Sequence, residues 1–345
     1  MIPARSFALA FALAGLGTAL LTPLAIWLGR RLGIEAVPGG RRKHEGRIVR
    51  IGGLALYPAL LAAILATRWV PRSDPGEWYR VTGMLLGVGI VWVGGLLDDR
   101  YELPSWCQAL FLAIAALAAI RFDVIIELFN SPFTDQQVKV DWYLMLPITL
   151  VWLIGFGTTM NLLDGVDGLA TGVTAIASAI LCAHMLRLGQ GTVALLPLAL
   201  LGCCAGFLLF NLPPARIYLG GGAYLLGFAL GAMAIIAGAK VATALLVLWV
   251  PIVDVAWQIR ARLRRGQSPS TGDRGHLHFL LVDAGWPVWR VLALYWGVTL
   301  FLGLSGLLLP SRLLKLLVLV AFAVLTAVGL AVLARRTETA GNAAE

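Results

Sequence analysis

Four charged segments interrupt an otherwise apolar chain, and each carries residue types that phosphate chemistry needs. Asp98 and Asp99 end an apolar run in GGLLDDRYELPS. Two adjacent carboxylates repel unless a proton or a cation lies between them. A hard cation such as Mg²⁺ takes one or two carboxylates together with substrate phosphates. NLLDGVDGLATG adds Asn161, Asp164 and Asp167. Its two acids are three residues apart and share a face on a helical turn, while Gly165 and Gly168 let the backbone come close to a ligand. Such a segment can cradle phosphate, metal or ribose. GDRGHLHFLLVDAG supplies Asp273, Arg274, His276 and His278, and imidazoles at this spacing can contact a diphosphate or move a proton. RRKHEGRIVRIGG sets Lys43 and His44 ahead of Gly52 and Gly53. Plainer explanations exist for each: a polar stop to a helix, a glycine-rich cap, ordinary loop histidines, and basic anchors at a membrane surface. Acids near a bilayer are costly to keep, and the four segments together favour a site that joins a water-soluble phosphorylated compound to a lipid one.

The elements that position these residues must be membrane helices. The chain is 59% hydrophobic and 13% charged, with mean hydropathy +0.86, outside the range of a soluble domain. A helical span needs about 20 apolar residues. Eleven runs approach this: 7–28, 51–69, 80–97, 106–121, 143–157, 168–187, 192–210, 222–238, 241–258, 290–309 and 312–334. The fifth is short, and the eighth is rich in glycine. The pattern predicts an all-α, polytopic membrane bundle of about 10–11 transmembrane helices, forming one domain over 1–345. The first run exceeds the core of a cleaved signal peptide and is expected to be retained. Gly83 and Gly87, four apart, allow close helix contact. Gly220, Gly221 and Gly222 mark either close packing or a break in a helix. Cys107, Cys182, Cys203 and Cys204 lack metal-type spacing and read as reduced core residues.

The net charge of +9 does not form one soluble basic face, so nucleic acid is not an expected partner. The basic residues sort by loop instead. Alternate loops hold 17 of the 27 Lys and Arg residues, including Arg41, Arg42, Lys43, Arg47, Arg50, Arg260, Arg262, Arg264, Arg265 and Arg274. Basic loops stay in the cytoplasm, which places the amino terminus outside, the carboxyl terminus inside and all four charged segments on the cytoplasmic side.

In this order the segments RKH…GG, GGLLDDR, NLLDGVDGLATG, NLPPARIYLG and DRGHLH resemble those of the polyprenyl-phosphate N-acetylhexosamine-1-phosphate transferases. The likeness runs from about Arg41 to Gly285 and is nearer to the undecaprenyl-phosphate N-acetylglucosamine branch than to the related peptidoglycan lipid I synthases. It implies a Mg²⁺-dependent enzyme, with Mn²⁺ as a substitute, in the bacterial cytoplasmic (inner) membrane. A polyprenyl (undecaprenyl) phosphate would attack the β-phosphorus of a UDP-N-acetylhexosamine, releasing UMP and starting an envelope polysaccharide. Phosphoryl transfer of this kind needs charge neutralisation and alignment more than a covalent protein intermediate. By the same resemblance Asp98 and Asp99 would be catalytic, and Asp98, Asp99 and Asp164 would hold the metal. Lys43, His44, Asn161, Asp164, Asp167, Arg274, His276 and His278 would bind substrate.

The chain departs from that pattern at several positions. The family presents a metal-binding Asp after NLPPARIYLG, where this chain has Gly220-Gly221-Gly222 and no acid between Asp167 and Asp254. A family lysine is Gln108, an Asn is Thr158, and the last His of an HxHH pattern is Phe279. Losing a hard carboxylate and a phosphate-neutralising lysine weakens a metal–diphosphate site. A catalytically degenerate relative, binding a lipid or nucleotide sugar or acting as a scaffold, therefore stands as the alternative. A transporter is a third reading, but transporter sites lie near the bilayer midplane, whereas these acids cluster at the ends of spans.

Overall fold

The computed structural model describes residues 2–36, 47–72, 74–131, 136–238, 244–245, 248–264, 266 and 275–342. In chain order the described elements are α1 (Ala4–Leu32), β1 (Glu35–Ala36), β2 (Ile48–Val49), α2 (Gly53–Leu65), α3 (Glu77–Tyr101), α4 (Ser105–Arg121), β3 (Leu128–Asn130) and β4 (Gln137–Lys139). They continue with α5 (Trp142–Leu163), α6 (Leu169–Arg187), α7 (Gly191–Asn211), α8 (Gly222–Ile236), α9 (Trp249–Arg264), α10 (Leu277–Asp283), α11 (Val288–Leu308) and α12 (Arg312–Asn342). The strands form two antiparallel two-stranded ribbons, β1–β2 and β3–β4. This is the expected all-α polytopic architecture.

Among the described residues, seven helices are long and apolar enough to cross a membrane: α1, α3, α5, α6, α7, α11 and α12 up to Val332. Helices α2, α4 and α8 are apolar but shorter, at 13, 17 and 15 residues. The short α8 is viable because every one of its residues is buried. It packs on α5 and α3, while α1 lies against α7 and α2, and α6 against α7 and α11. The outer helices show apolar side chains outward, among them Leu16, Leu20 and Leu24 of α1 and Val324 and Leu325 of α12.

Between membrane helices the driving force is van der Waals contact rather than expulsion of water, so small residues sit at the closest crossings. Gly202 and Gly206 of α7 meet the backbone of α1 at Phe11 and Gly15, leaving no room for a Cβ. Gly83 and Gly87 serve α3 in the same way, against Phe122 and against Ala115 and Phe228.

Of the ninth apolar run, 241–258, residues 241–243 and 246–247 lie outside the described residues, and the helix over Trp249–Arg264 covers its second half. Asp254, Gln258 and Arg262 recur every four residues on one face of α9, and all three are buried, so this helix turns a polar stripe inward.

At the bundle end opposite the Asp98–Asp99 pair, the buried acid Glu77 is fully engaged. It pairs with Arg72 and accepts a 2.6 Å hydrogen bond from Thr192 Oγ1. The Arg72 guanidinium also lies over the Trp78 ring.

Candidate active site

The charged segments converge at the end of α3 through contacts that can be followed bond by bond. The chain from Val49 to Gly53 runs beside Ile217–Leu219: Tyr218 N–H donates to Val49 O at 2.9 Å, Gly52 N–H to Tyr218 O at 2.9 Å and Gly53 N–H to Leu219 O at 3.1 Å. This pairing carries Arg50 to the last turn of α3. There its Nε lies 3.4 Å from Asp99 Oδ1 and its Nη1 3.7 Å from Glu102 Oε1, while Nη2 donates to the Asp98 carbonyl at 3.4 Å.

Asp99 is buried, and its Oδ1 also accepts the Gly221 N–H at 2.9 Å. Gly221 precedes the first residue of α8, so the carboxylate sits at a helix amino terminus, where unpaired N–H groups favour negative charge. Oδ2 of Asp99 is buried and accepts no hydrogen bond from the described residues. Asp98 turns to the other side: its Oδ1 accepts from Gln108 Nε2 at 2.9 Å, and Gln108 Oε1 in turn accepts from the Tyr224 hydroxyl. Gln108, standing where the family has lysine, thus ties Asp98 to α8.

Asp164 follows the last turn of α5, on which Asn161 sits half-buried. Burial and, after it, the Asp167 carboxylate push the Asp164 carboxyl up to about 7, against the pull of the Arg50 guanidinium. An aspartate ordinarily titrates near 3.8. Between that value and about 7 the folded protein holds a proton that the unfolded chain has released, so stability from this group is present at low pH and lost as pH rises through the window. Asp164→Asn is therefore expected to flatten the fall in melting temperature between about pH 4 and about pH 7 relative to the wild type. Parallel pH curves for the two proteins would count against it.

Asp167 is committed in part to structure, its Oδ2 accepting the Ala215 N–H at 2.9 Å. Thr171 Oγ1 donates to Asn211 Oδ1 at 2.8 Å, and Asn211 Nδ2 donates to Ile217 O at 2.9 Å. These bonds join the turn after α5 to the 211–222 segment. His278 completes the circuit: it lies against Gly165, where a Cβ would strike its ring. It also stacks on His276 with centroids 5.7 Å apart and planes 10° from parallel. Both histidines are buried. Lys43, His44 and Arg274 lie outside the described residues.

Asp98 and Asp99, expected with Asp164 to hold the metal, turn to different partners. Among the described residues no group of three or more His, Cys, Asp or Glu side chains is placed to hold a metal ion. Successive residues on a helix point about 100° apart, which is why Asp98 faces Gln108 while Asp99 faces Gly221. The oxygen set nevertheless fits a divalent cation that arrives on a diphosphate and takes only one or two carboxylates, because Asp99 Oδ2 is an orphaned buried oxygen.

Two residues escaped the sequence reading as site members. Arg50 reads there as one of many basic anchors, and its one distinguishing signal is its place two residues before Gly52-Gly53. Asp254 reads as an acid inside an apolar run, itself a sign of function; it accepts from Leu277 N–H and contacts His276.

The family described as glycosyl transferase family 4 matches residues 81–238. The chain is 32% identical over 308 residues to the decaprenyl-phosphate N-acetylglucosaminephosphotransferase of Mycolicibacterium smegmatis, covering 79% of this chain and 76% of that protein. It is 28% identical over 283 residues to a probable undecaprenyl-phosphate N-acetylglucosaminyl 1-phosphate transferase of Bacillus subtilis, covering 80% of this chain and 77% of the other. A phospho-N-acetylmuramoyl-pentapeptide-transferase of Geobacillus kaustophilus is 29% identical over 328 residues, 89% of this chain and 98% of that one. With these matches and a multi-pass helical fold, the chain belongs to glycosyl transferase family 4, the membrane sugar-phosphate transferases that act on polyprenyl phosphates.

Proposed function

We propose that this protein transfers N-acetylglucosamine 1-phosphate from UDP-N-acetylglucosamine to a polyprenyl (undecaprenyl) phosphate, releasing UMP and initiating an envelope polysaccharide. The observation that carries the reading is the Arg50–Asp99–Gly221 junction. There a guanidinium, a buried carboxylate and a helix amino terminus meet among the segments shared with the family. A phosphate oxygen of the lipid forms the new bond to the β-phosphorus. The bond from that phosphorus to the bridging oxygen breaks, and UMP leaves with the oxygen.

Asp98, held by Gln108, would orient the acceptor phosphate or take its proton. Arg50 offsets the charge gathered by two phosphates and the carboxylates around them. Asn161, Asp164 and Asp167 shape the nucleotide side, and Lys43, His44, Arg274, His276 and His278 serve the diphosphate and sugar. Asp99 and Asp164 would hold Mg²⁺ together with the diphosphate, and the ion would neutralise charge on the transferring group. A non-catalytic binding relative is the weaker reading, because the named relatives are transferases.

The deciding experiment supplies purified protein with radiolabelled UDP-N-acetylglucosamine, undecaprenyl phosphate and Mg²⁺. Label moving into the lipid phase with equimolar UMP is expected; UDP-sugar binding without transfer would sink the reading.

The same proposal places the protein in the bacterial cytoplasmic membrane as one domain, with its amino terminus outside and the site at the cytoplasmic face. The distribution of basic residues supports this. Reporter fusions after Arg72 and after Arg265 are expected to give opposite locations, and matching locations would refute the orientation.

A further inference from the structure

Most of the charged groups at the α3 end have a place in the reading above, but the polar stripe inside α9 does not. Asp254 spends both of its oxygens on one segment: Oδ1 accepts the Leu277 N–H at 2.9 Å and Oδ2 lies 3.1 Å from His276 Nδ1. One turn later, Gln258 Nε2 donates to the Gly275 carbonyl. All of this is enclosed, with Asp254 2% and His276 3% exposed. The stripe thus grips the backbone on both sides of His276 and one nitrogen of its ring. The other ring nitrogen, Nε2, is buried and makes no hydrogen bond among the described residues. A buried polar atom left without a partner is costly, and one held so firmly at the edge of a site is a group kept for a ligand.

The ring's surroundings say which ligand. His276 stacks on His278, and His278 rests on Gly165, between Asp164 and Asp167. A carboxylate bound to Nδ1–H fixes the imidazole's orientation and leaves Nε2 as the working atom. It also stabilises the ring when Nε2 takes a proton and becomes a donor to an anion.

We propose that Asp254 is a positioning residue of the transfer reaction, holding His276 by Nδ1 so that Nε2 meets the diphosphate of the nucleotide sugar. The inference rests on the transferase reading. Asp254 touches no substrate; it acts through His276, and Gln258 steadies the same segment without touching the ring.

The test uses the full chain in lipid nanodiscs with UDP-N-acetylglucosamine, undecaprenyl phosphate and Mg²⁺. Asp254→Asn keeps the shape and an acceptor for Leu277 N–H, but it turns a donor or a neutral acceptor toward Nδ1. The expected result is a kcat lower by about ten- to a hundredfold, the scale of losing an outer partner of a working histidine. KM for the nucleotide sugar should move by less than about threefold, and the melting temperature should hold. Activity at the wild-type level overturns the proposal, and so does a loss that merely follows a lower melting temperature.

Should Asp254→Asn unfold, the decision passes to Asp254→Ala combined with His276→Ala, which leaves no buried charge unpaired. Its kcat is expected to equal that of His276→Ala alone, because Asp254 has nothing to act through once the ring is gone. A further fall of more than about fivefold would show an independent role and overturn the idea. Absence of transfer by the wild type would fail the transferase reading itself, a result distinct from either variant outcome.

Discussion

Asp99→Asn is expected to lower turnover by about a hundredfold or more, the scale of removing one preorganised charge contact at a phosphoryl-transfer site. The side chain is 1% exposed, and Asn would present an amide nitrogen where one of two buried oxygens now faces Arg50 and Gly221. Among the described residues Arg50 would keep Glu102 as its one ion-pair partner, 3.7 Å away and 79% exposed on its side chain. Breaking a buried pair from one side leaves a charge without compensation, so the variant should also melt at a lower temperature. Asp98→Asn is expected to match the loss of turnover without the loss of stability, because its amide can still bond Gln108 after a flip. Turnover and melting temperature measured on both variants separate the two roles. Normal turnover in either one would remove that aspartate from the mechanism.

The second large effect concerns the glycines that stand where relatives of the resembled family carry an acid. Gly221→Asp is expected to abolish activity by damaging the fold. Gly221 lies backbone to backbone against Gly95 of α3, Gly222 lies against Gly53 of α2, and a Cβ at Gly221 would fall inside its neighbour's envelope. Overpacking of this kind commonly costs about 1–3 kcal/mol and here meets backbone, which cannot swing aside. Inserting Asp between Gly220 and Gly221 lengthens the turn before α8 instead and leaves the Gly221 N–H free to keep its bond to Asp99. The insertion is therefore expected to lower the Mg²⁺ concentration for half-maximal activity, or to create activity where none was measurable. A wild type already saturated at low Mg²⁺, with no gain from the insertion, would show that another group supplies the ligand.

Much of the fold was legible because a membrane span leaves a long, unambiguous apolar run. Even the glycine-rich eighth run proved to be a helix, since glycine and alanine are what a fully enclosed helix needs at close crossings. In the ninth run hydropathy, which sums over a window, cannot tell an inward polar stripe from a span's polar end; Asp254, Gln258 and Arg262 separate the two only once their facing is known. The site segments could be picked out by residue type, but their partners could not. That Asp98 answers to Gln108, or that Asp99 caps α8, depends on contacts between residues 10 and 122 positions apart. Arg50 was hidden by abundance, one arginine among many that a cytoplasmic loop would carry for orientation alone.

The fifteen residues of α8 span about 22 Å, well short of a hydrocarbon core of about 30 Å, yet none of them meets lipid. The molecule is thus built like a wheel on an axle, and only the rim feels the bilayer. A thicker or thinner membrane acts on α1, α5, α11 and α12, which can tilt to match it. The axle, with Asp99 seated at one end, is not pulled directly. Chemistry anchored to α8 can therefore hold its register in membranes of different thickness.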